Sequence, residues 1–323
     1  MFFFLLVAFS FVLFFFFYRV IQFKVNHTDE KVFIRKNNLY KPSLIKKNGI
    51  GLLDHIYILN LKKNEKKKEV IKKEIEIKFN RKLNADNFFP AFYGKTVKNS
   101  VSSLVAEGFL HPAYKLSFLD KIFHGDSLKN PGQLGHYLSF YGVFKNAMAN
   151  DLEFFMIVED DAVFVDNFVE SIDPLVRFLQ KNNYAYASLG QADYFYQKNK
   201  KLLKSSDFVF KEGGSHFFPV DLSLSLFRQT HAMIFRTDAL KFIMPDYFPM
   251  TCPTDVALGN WARHFSFDIT NEKTFLKRTS LSQQKIKGLF CFPPLSWQNE
   301  THKSDIDHWT AIDFKKIKMK NNK

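Results

Sequence analysis

The chain has 323 residues, 46% of them hydrophobic and 24% charged, which is ordinary for a globular protein and enough for one large domain or two small ones. Its formal net charge of +14 favours anionic partners, yet no zinc-finger spacing or aromatic RNA-binding signature accompanies it, which argues against nucleic acid. Cys252 and Cys291 have no metal-ligand spacing and leave room for one bridge at most, so a disulfide scaffold is excluded. The 40 phenylalanines, beside many Lys and Asn, read as compositional bias and not as a functional signal.

The first element is apolar. Phe2 to Tyr18 carries no charge and is interrupted only by Ser10 and the Tyr18 hydroxyl. As a helix it would span about 25 Å, the short limit for a bilayer, and Arg19 and Lys24 would extend it by snorkelling. A cleaved signal peptide needs a basic start and a small-residue cleavage site, and neither is present. Residues 1–24 therefore read as an uncleaved membrane anchor. Arg19, Lys24, Lys31, Arg35 and Lys36 all follow the run, so the positive-inside rule puts the rest of the protein in the cytoplasm. Residues 25–53 are polar and basic and read as a linker.

Strands and helices then alternate, which predicts an α/β sheet. His55 to Leu61 is a short apolar, β-rich run. Lys62 to Lys78 places Val70, Ile71, Ile75 and Ile77 among lysines and glutamates, as an amphipathic helix with a solvated charged face. Phe88 to Phe92 is a second strand closed by Gly94. Asn130-Pro131-Gly132-Gln133 starts a helix with Leu134, Tyr137, Leu138, Tyr141 and Phe144 on one face. Phe168 to Leu179 is a helix that Pro174 should kink or break. Ala185 to Leu189 is a strand ending at Gly190, and 197–216 a polar hairpin or loop. Thr230 to Phe235 is a strand and Thr237 to Ile243 a helix. Residues 313–323 form a basic tail.

The segment with chemistry is Phe154 to Val165, FFMIVEDDAVFV. Glu159, Asp160 and Asp161 interrupt two apolar runs. Buried carboxylates cost several kcal/mol unless paired or coordinated. A buried strand opening into a crevice at its C-terminal end resolves the conflict. Oxygen ligands there suit Mg²⁺ or Mn²⁺, which in turn hold phosphate, as in the D-x-D motif of nucleotide-sugar transferases. The rival reading is a strand ending in a solvated acidic turn. On an extended strand Glu159 and Asp161 share one side and Asp160 takes the other, unless the chain turns there.

Several segments, in order, resemble glycosyltransferase family 25. They are IYILNLKKNEKKK, FFPAFYGK, NPGQLGHYLSF, FFMIVEDDAVF, YASLG, THAMIFRTDALKFI before PTD, and FPPLSWQNETHKSDI, covering about residues 54–307. Four positions depart from the family pattern: Tyr93 for Asp, Gln133 for Glu, His136 for Cys and Phe140 for His. If these touch donor or acceptor, specificity shifts. The resemblance implies a GT-A-type single nucleotide-sugar-binding domain, over 54–312, following the N-terminal membrane helix. It also implies a divalent metal and inverting transfer from a UDP-sugar to a glycan or glycolipid at a membrane.

On that reading Asp161 is the metal ligand, and Glu159 lies nearer the ribose or a metal-bound water. His231 and His302 are further candidate ligands or phosphate contacts, with ordinary structural histidines as the rival. Asn60 and Asp160 are candidate nucleotide contacts, while Lys62 and Lys63 are solvated. Asp255, in Cys252-Pro253-Thr254-Asp255, is the first candidate for the base that takes the acceptor proton; a helix cap explains it equally well. Asp193 is the second candidate. The leading expectation is galactose transfer from UDP-galactose to lipopolysaccharide or lipooligosaccharide. The alternatives are a luminal galactosyltransferase acting on hydroxylysine or another protein acceptor, for which Asn26-His27-Thr28 would be a glycosylation site, and a degenerate non-catalytic sugar-nucleotide-binding protein.

Overall fold

The computed structural model of the chain describes residues 42–93, 101–110, 131–190, 207–220, 230–250, 252–262, 265–267, 276–278 and 286–298. Its strands are β1 (His55–Asn60), β2 (Phe88–Pro90), β3 (Phe154–Glu159), β4 (Ala162–Phe164), β5 (Tyr186–Ser188), β6 (Phe210–Glu212), β7 (Ser215–Pro219), β8 (Ala232–Arg236), β9 (Phe265–Phe267), β10 (Leu276–Arg278), β11 (Gly288–Phe292) and β12 (Ser296–Gln298). Its helices are α1 (Glu65–Lys78), α2 (Val101–Ala106), α3 (Pro131–Ala149), α4 (Phe168–Asn182), α5 (Leu240–Ile243) and α6 (Thr254–Ala262).

Eight strands form one mixed sheet in the order β2-β1-β3-β8-β5-β11-β7-β6. β2, β1 and β3 run parallel, β8 is antiparallel to both β3 and β5, and β5 and β11 are parallel. This mixed α/β architecture fits a Rossmann-like glycosyltransferase fold. β4 leaves the large sheet and pairs antiparallel with β12, while β9 pairs with β10.

Strict alternation along the central strands builds two cores, one on each face. Tyr57, Phe155, Ile157, Met233 and Phe235 point to one face, against Leu134, Tyr137, Phe140 and Phe144 of α3 and Leu258 of α6. Ile56, Ile58, Phe154, Met156, Val158 and Ile234 point to the other, against Ile71 and Ile75 of α1 and Ile172, Leu175 and Leu179 of α4. Strands covered on both faces read as continuous apolar runs, and β1 is buried at all six positions. Many of the phenylalanines serve this packing. The Phe155 and Phe235 rings stack at 5.6 Å, and Phe144 meets Phe235 edge-on at 5.0 Å.

α4 corrects the expectation at Pro174. The helix runs through it to Asn182. One hydrogen bond is lost, but Phe168, Ile172, Leu175, Val176 and Leu179 bury a full apolar stripe, which outweighs that loss. Asn183, in the left-handed region at φ 59°, ends the helix. β2 stops at Pro90, two residues short of its expected end. The expected hairpin or loop over 197–216 is, in its described part, a hairpin: β6 pairs with β7, with Gly213 and Gly214 at positive φ in the turn.

The described end of the segment read as a linker packs on the sheet. The Asn48 amide group donates to Asn87 Oδ1 at 2.7 Å, and the Asn48 N–H to His55 Nδ1 at 3.0 Å. No helix among the described residues is long and apolar enough to cross a membrane. The apolar run at 2–18 and the basic tail lie outside the described residues. Both cysteines are buried and free.

Candidate active site

The site lies where β3 ends. Five buried apolar residues run into Glu159, and the chain turns at Asp160 and Asp161 before β4. β8 runs antiparallel beside β3, so His231, just before β8, meets the acidic end. Its carbonyl accepts the Glu159 N–H at 2.9 Å. Its Nδ1 lies 3.7 Å from Glu159 Oε2 and 3.9 Å from Asp161 Oδ1. One ligand atom from each of Glu159, Asp161 and His231 falls within 4.8 Å of the others, a group that could bind a metal ion. Asp161 and His231 are 7% and 4% exposed, so solvent does little to offset their charges.

Burial pushes the Glu159 carboxyl upward, but the His136 and His231 imidazoles outweigh it and hold the group well below the usual carboxylate range. Burial opposes protonation of His231, yet Glu159, with Asp161 and Asp255, raises it above the ordinary value. The charge of Asp255 therefore reaches the same cluster. Gly190 backs the group: a Cβ there would stand 3.2 Å from His231 Cβ and 2.9 Å from Ser296 Oγ.

Asp160 has other partners, and because the chain turns there its placement does not follow from strand alternation. Asn60 Nδ2 donates to Asp160 Oδ2 at 2.8 Å, and Lys67 Nζ lies 3.8 Å from Oδ1. Burial pushes this carboxyl up to about 6, against the opposing pull of Lys67. Asn60 also donates to the Asn64 carbonyl at 3.3 Å, so its amide organises the β1–α1 loop. Lys62 and Lys63 are exposed, and Lys63 Nζ sits 4.2 Å above the Tyr93 ring.

Asp255 is the second residue of α6, not its cap. Its Oδ1 accepts the Val256 N–H at 2.9 Å, one of the free donors of the first turn. Asp193 and His302 lie outside the described residues. Three site residues escaped sequence reading. His136 Nε2 lies 3.2 Å from Glu159 Oε1, Thr230 Oγ1 donates to that same oxygen at 2.6 Å, and Thr254 Oγ1 lies 2.9 Å from His136 Nδ1. His136 had been visible only as a departure from a family pattern. Phe140, another departure, is fully buried among core rings, 4.7 Å from the His136 ring, and cannot touch a ligand.

Residues 53–239 match the model of glycosyltransferase family 25, described as an LPS biosynthesis protein. The chain belongs to glycosyltransferase family 25. A search of curated proteins returns no match. Family 25 membership makes the chain a glycosyltransferase, with a sugar donor and a glycan acceptor, in a family tied to lipopolysaccharide biosynthesis. The family match takes in Asn60, the acidic triplet, Asp193 and His231. Asp255 and His302 lie beyond its end.

Proposed function

We propose that this family 25 chain is a metal-dependent, inverting transferase of GT-A type, moving galactose from UDP-galactose onto lipopolysaccharide or lipooligosaccharide. The observation that carries it is the Glu159–Asp161–His231 group, two of its three residues buried, at the C-terminal end of a central strand. Open α/β sheets bind ligands at that edge. Two carboxylate oxygens with one imidazole nitrogen suit Mn²⁺ better than Mg²⁺, which takes an all-oxygen shell. Asp161, Glu159 and His231 would hold the ion, with His302 as a further candidate. When bound, it supplies Lewis-acid stabilisation of the charge on the departing diphosphate.

The remaining steps belong to the chain. Asn60 and Asp160, at the ends of β1 and β3, face the nucleotide. The acceptor oxygen forms its bond to the anomeric carbon as the bond to the diphosphate oxygen breaks, on the opposite face of the sugar. Asp255 takes the acceptor hydroxyl's proton; Asp193 is the alternative base. The basic body and residues 1–24 fit a protein held at an anionic leaflet, with the transferase domain cytoplasmic and the acceptor lipid-linked. Protease treatment of intact spheroplasts tests the orientation: digestion of the transferase domain would place it outside.

Calorimetry of UDP binding with and without Mn²⁺ tests the core of the proposal. Binding should tighten with the ion, and a screen of nucleotide sugars should show hydrolysis of a UDP-sugar. Equal UDP affinity in both conditions would overturn metal dependence.

A further inference from the structure

We infer that His136 is a positioning residue that ties the acidic end of β3 to the first turn of α6, holding Glu159 and Asp255 in fixed relation. The inference deepens the reading above, since it gives those two residues their partnership.

The hydrogen-bond directions follow from the chemistry of the groups. An ionised carboxylate only accepts, so His136 Nε2 carries the proton it directs at Glu159, 3.2 Å away. Thr230 gives its own proton to the same oxygen at 2.6 Å and turns a lone pair toward His136 Nε2, 3.1 Å away. Nδ1 meets the Thr254 hydroxyl across 2.9 Å, and a hydroxyl can either donate to that nitrogen or accept from it, so the contact holds in either state of the ring. One hydrogen-bonded chain thus joins Thr254, His136 and Glu159. It joins three elements, because Thr254 opens α6, His136 lies on α3 and Glu159 ends β3.

The setting makes the link stiff. Thr254 and Thr230 are 2% and 5% exposed, and the His136 side chain 13%. The ring packs 4.7 Å from Phe140, which is itself fully buried. Fixed rotamers and low local dielectric strengthen such bonds. Asp255 follows Thr254 directly, so whatever holds Thr254 also sets where the Asp255 carboxylate starts. The Cys of the family pattern lacks the two separated ring nitrogens that meet Thr254 on one side and Glu159 on the other. The residue that departs from the pattern is the one that makes the link.

Two half-isosteres in the full chain test it. His136→Asn offers its amide at the depth of Nδ1 and keeps only the Thr254 end. His136→Gln offers it at the depth of Nε2 and keeps only the Glu159 end. The readouts are Mn²⁺ affinity and hydrogen exchange at residues 254–257 without ligand. His136→Asn should weaken Mn²⁺ binding by about 10–100-fold, the usual effect of losing an outer-shell partner, and leave exchange in α6 unchanged. His136→Gln should keep Mn²⁺ affinity and speed exchange at 254–257 by roughly fivefold, the equivalent of one hydrogen bond. Thr254→Val cuts the same bond from the other side and should reproduce the His136→Gln pattern. A merely structural histidine would move both readouts together, in step with the unfolding midpoint. That result, or no change in either readout, overturns the proposal. If the wild-type chain binds no Mn²⁺, the metal-dependent function falls, while the exchange arm still decides the link.

Discussion

At the start of β1, His55 is sealed in the protein. Its Nδ1 accepts the Asn48 N–H, its Nε2 donates to the Asp86 carbonyl, and burial lowers its tendency to take a proton. Next to it, Asn87 spends all four of its hydrogen-bonding positions, on Asn48, Asn84 and Ile56. At the opposite end of the same strands, His231 faces two carboxylates, and its tendency to take a proton is raised. Both regions are buried and polar. The first closes on backbone groups and amides, with one guanidinium, Arg81, donating to Asn48 Oδ1 at 2.6 Å; the second gathers two carboxylates and a histidine at a sheet edge where ligands bind. What separates a structural network from a chemical one here is how charge is met, and not how deeply the histidine is buried.

The comparison breaks most visibly at Asp161. Asp161→Asn keeps the shape and removes the charge, so Mn²⁺ affinity should fall by about 100-fold or more, at least what an outer-shell loss costs. The unfolding midpoint should hold or rise, because a buried charge has been removed from an acidic cluster. Unchanged Mn²⁺ binding by calorimetry would take Asp161 out of the site.

Asp255 comes second. Losing a general base typically removes a factor of about 10² to 10⁴ in rate, whereas losing a first-turn contact costs about 0.5–2 kcal/mol of stability. Asp255→Asn still accepts the Val256 N–H but cannot take a proton. Transfer per folded molecule should collapse while the midpoint stays. Near wild-type turnover would leave Asp255 as a helix-start residue and shift the search to Asp193.

The sealed end should behave in the opposite way. Asn87→Ala strands the Asn48 and Ile56 carbonyls, the Asn84 N–H and the Asn48 amide, each worth about 1–3 kcal/mol when left buried and unsatisfied. Partial relaxation leaves a loss of about 3 kcal/mol, or on the order of 5–10 °C in the midpoint. Turnover per folded molecule should not change. A large drop in turnover with an unaltered midpoint would erase the distinction between the two ends.

These differences also mark what the sequence made legible. Glu159 and Asp161 stood out because three acids end an apolar run, whereas the turn at Asp160 and Asp161 removes the extended chain that the alternation argument assumed. β1, α1 and the long helix α3 followed from local patterns of apolar residues. The order of the sheet did not, since β8 inserts beside β3 through pairing that local patterns do not encode. His136, Thr230 and Thr254 left no local signal, because their contacts join residues 94 and 118 positions apart. Pro174 misled because helix propensity was weighed without the apolar face that α4 buries. The Asn48–Asn87–His55 network escaped for the same reason as His136: asparagines in a polar stretch read as loop until the fold folds that stretch back on β1.

The smallest effect is in pH, and its sign tests the assignment of His55. In the unfolded chain a histidine takes its proton near pH 6.5. In the folded chain His55 does so at lower pH, first because it is buried, even though the Asp86 carbonyl and nearby carboxylates pull the other way. Above about pH 6.5 both states hold the ring neutral and His55 adds no pH dependence. Below it the unfolded chain binds more protons, so stability falls with pH until the folded-state value is reached. His231 has the opposite sign: its raised value gives stability that is full at low pH and is lost as pH rises through the folded value. The two overlap, so the observable is a difference. Urea midpoints from pH 7.5 to 5.5 should fall for the wild type relative to His55→Gln, which keeps a donor for the Asp86 carbonyl and does not titrate. Parallel curves for the two proteins would mean that the fold leaves the proton affinity of His55 unchanged, and a wild-type midpoint that rises relative to His55→Gln as pH falls would mean that the sealed end of β1 carries a charge after all.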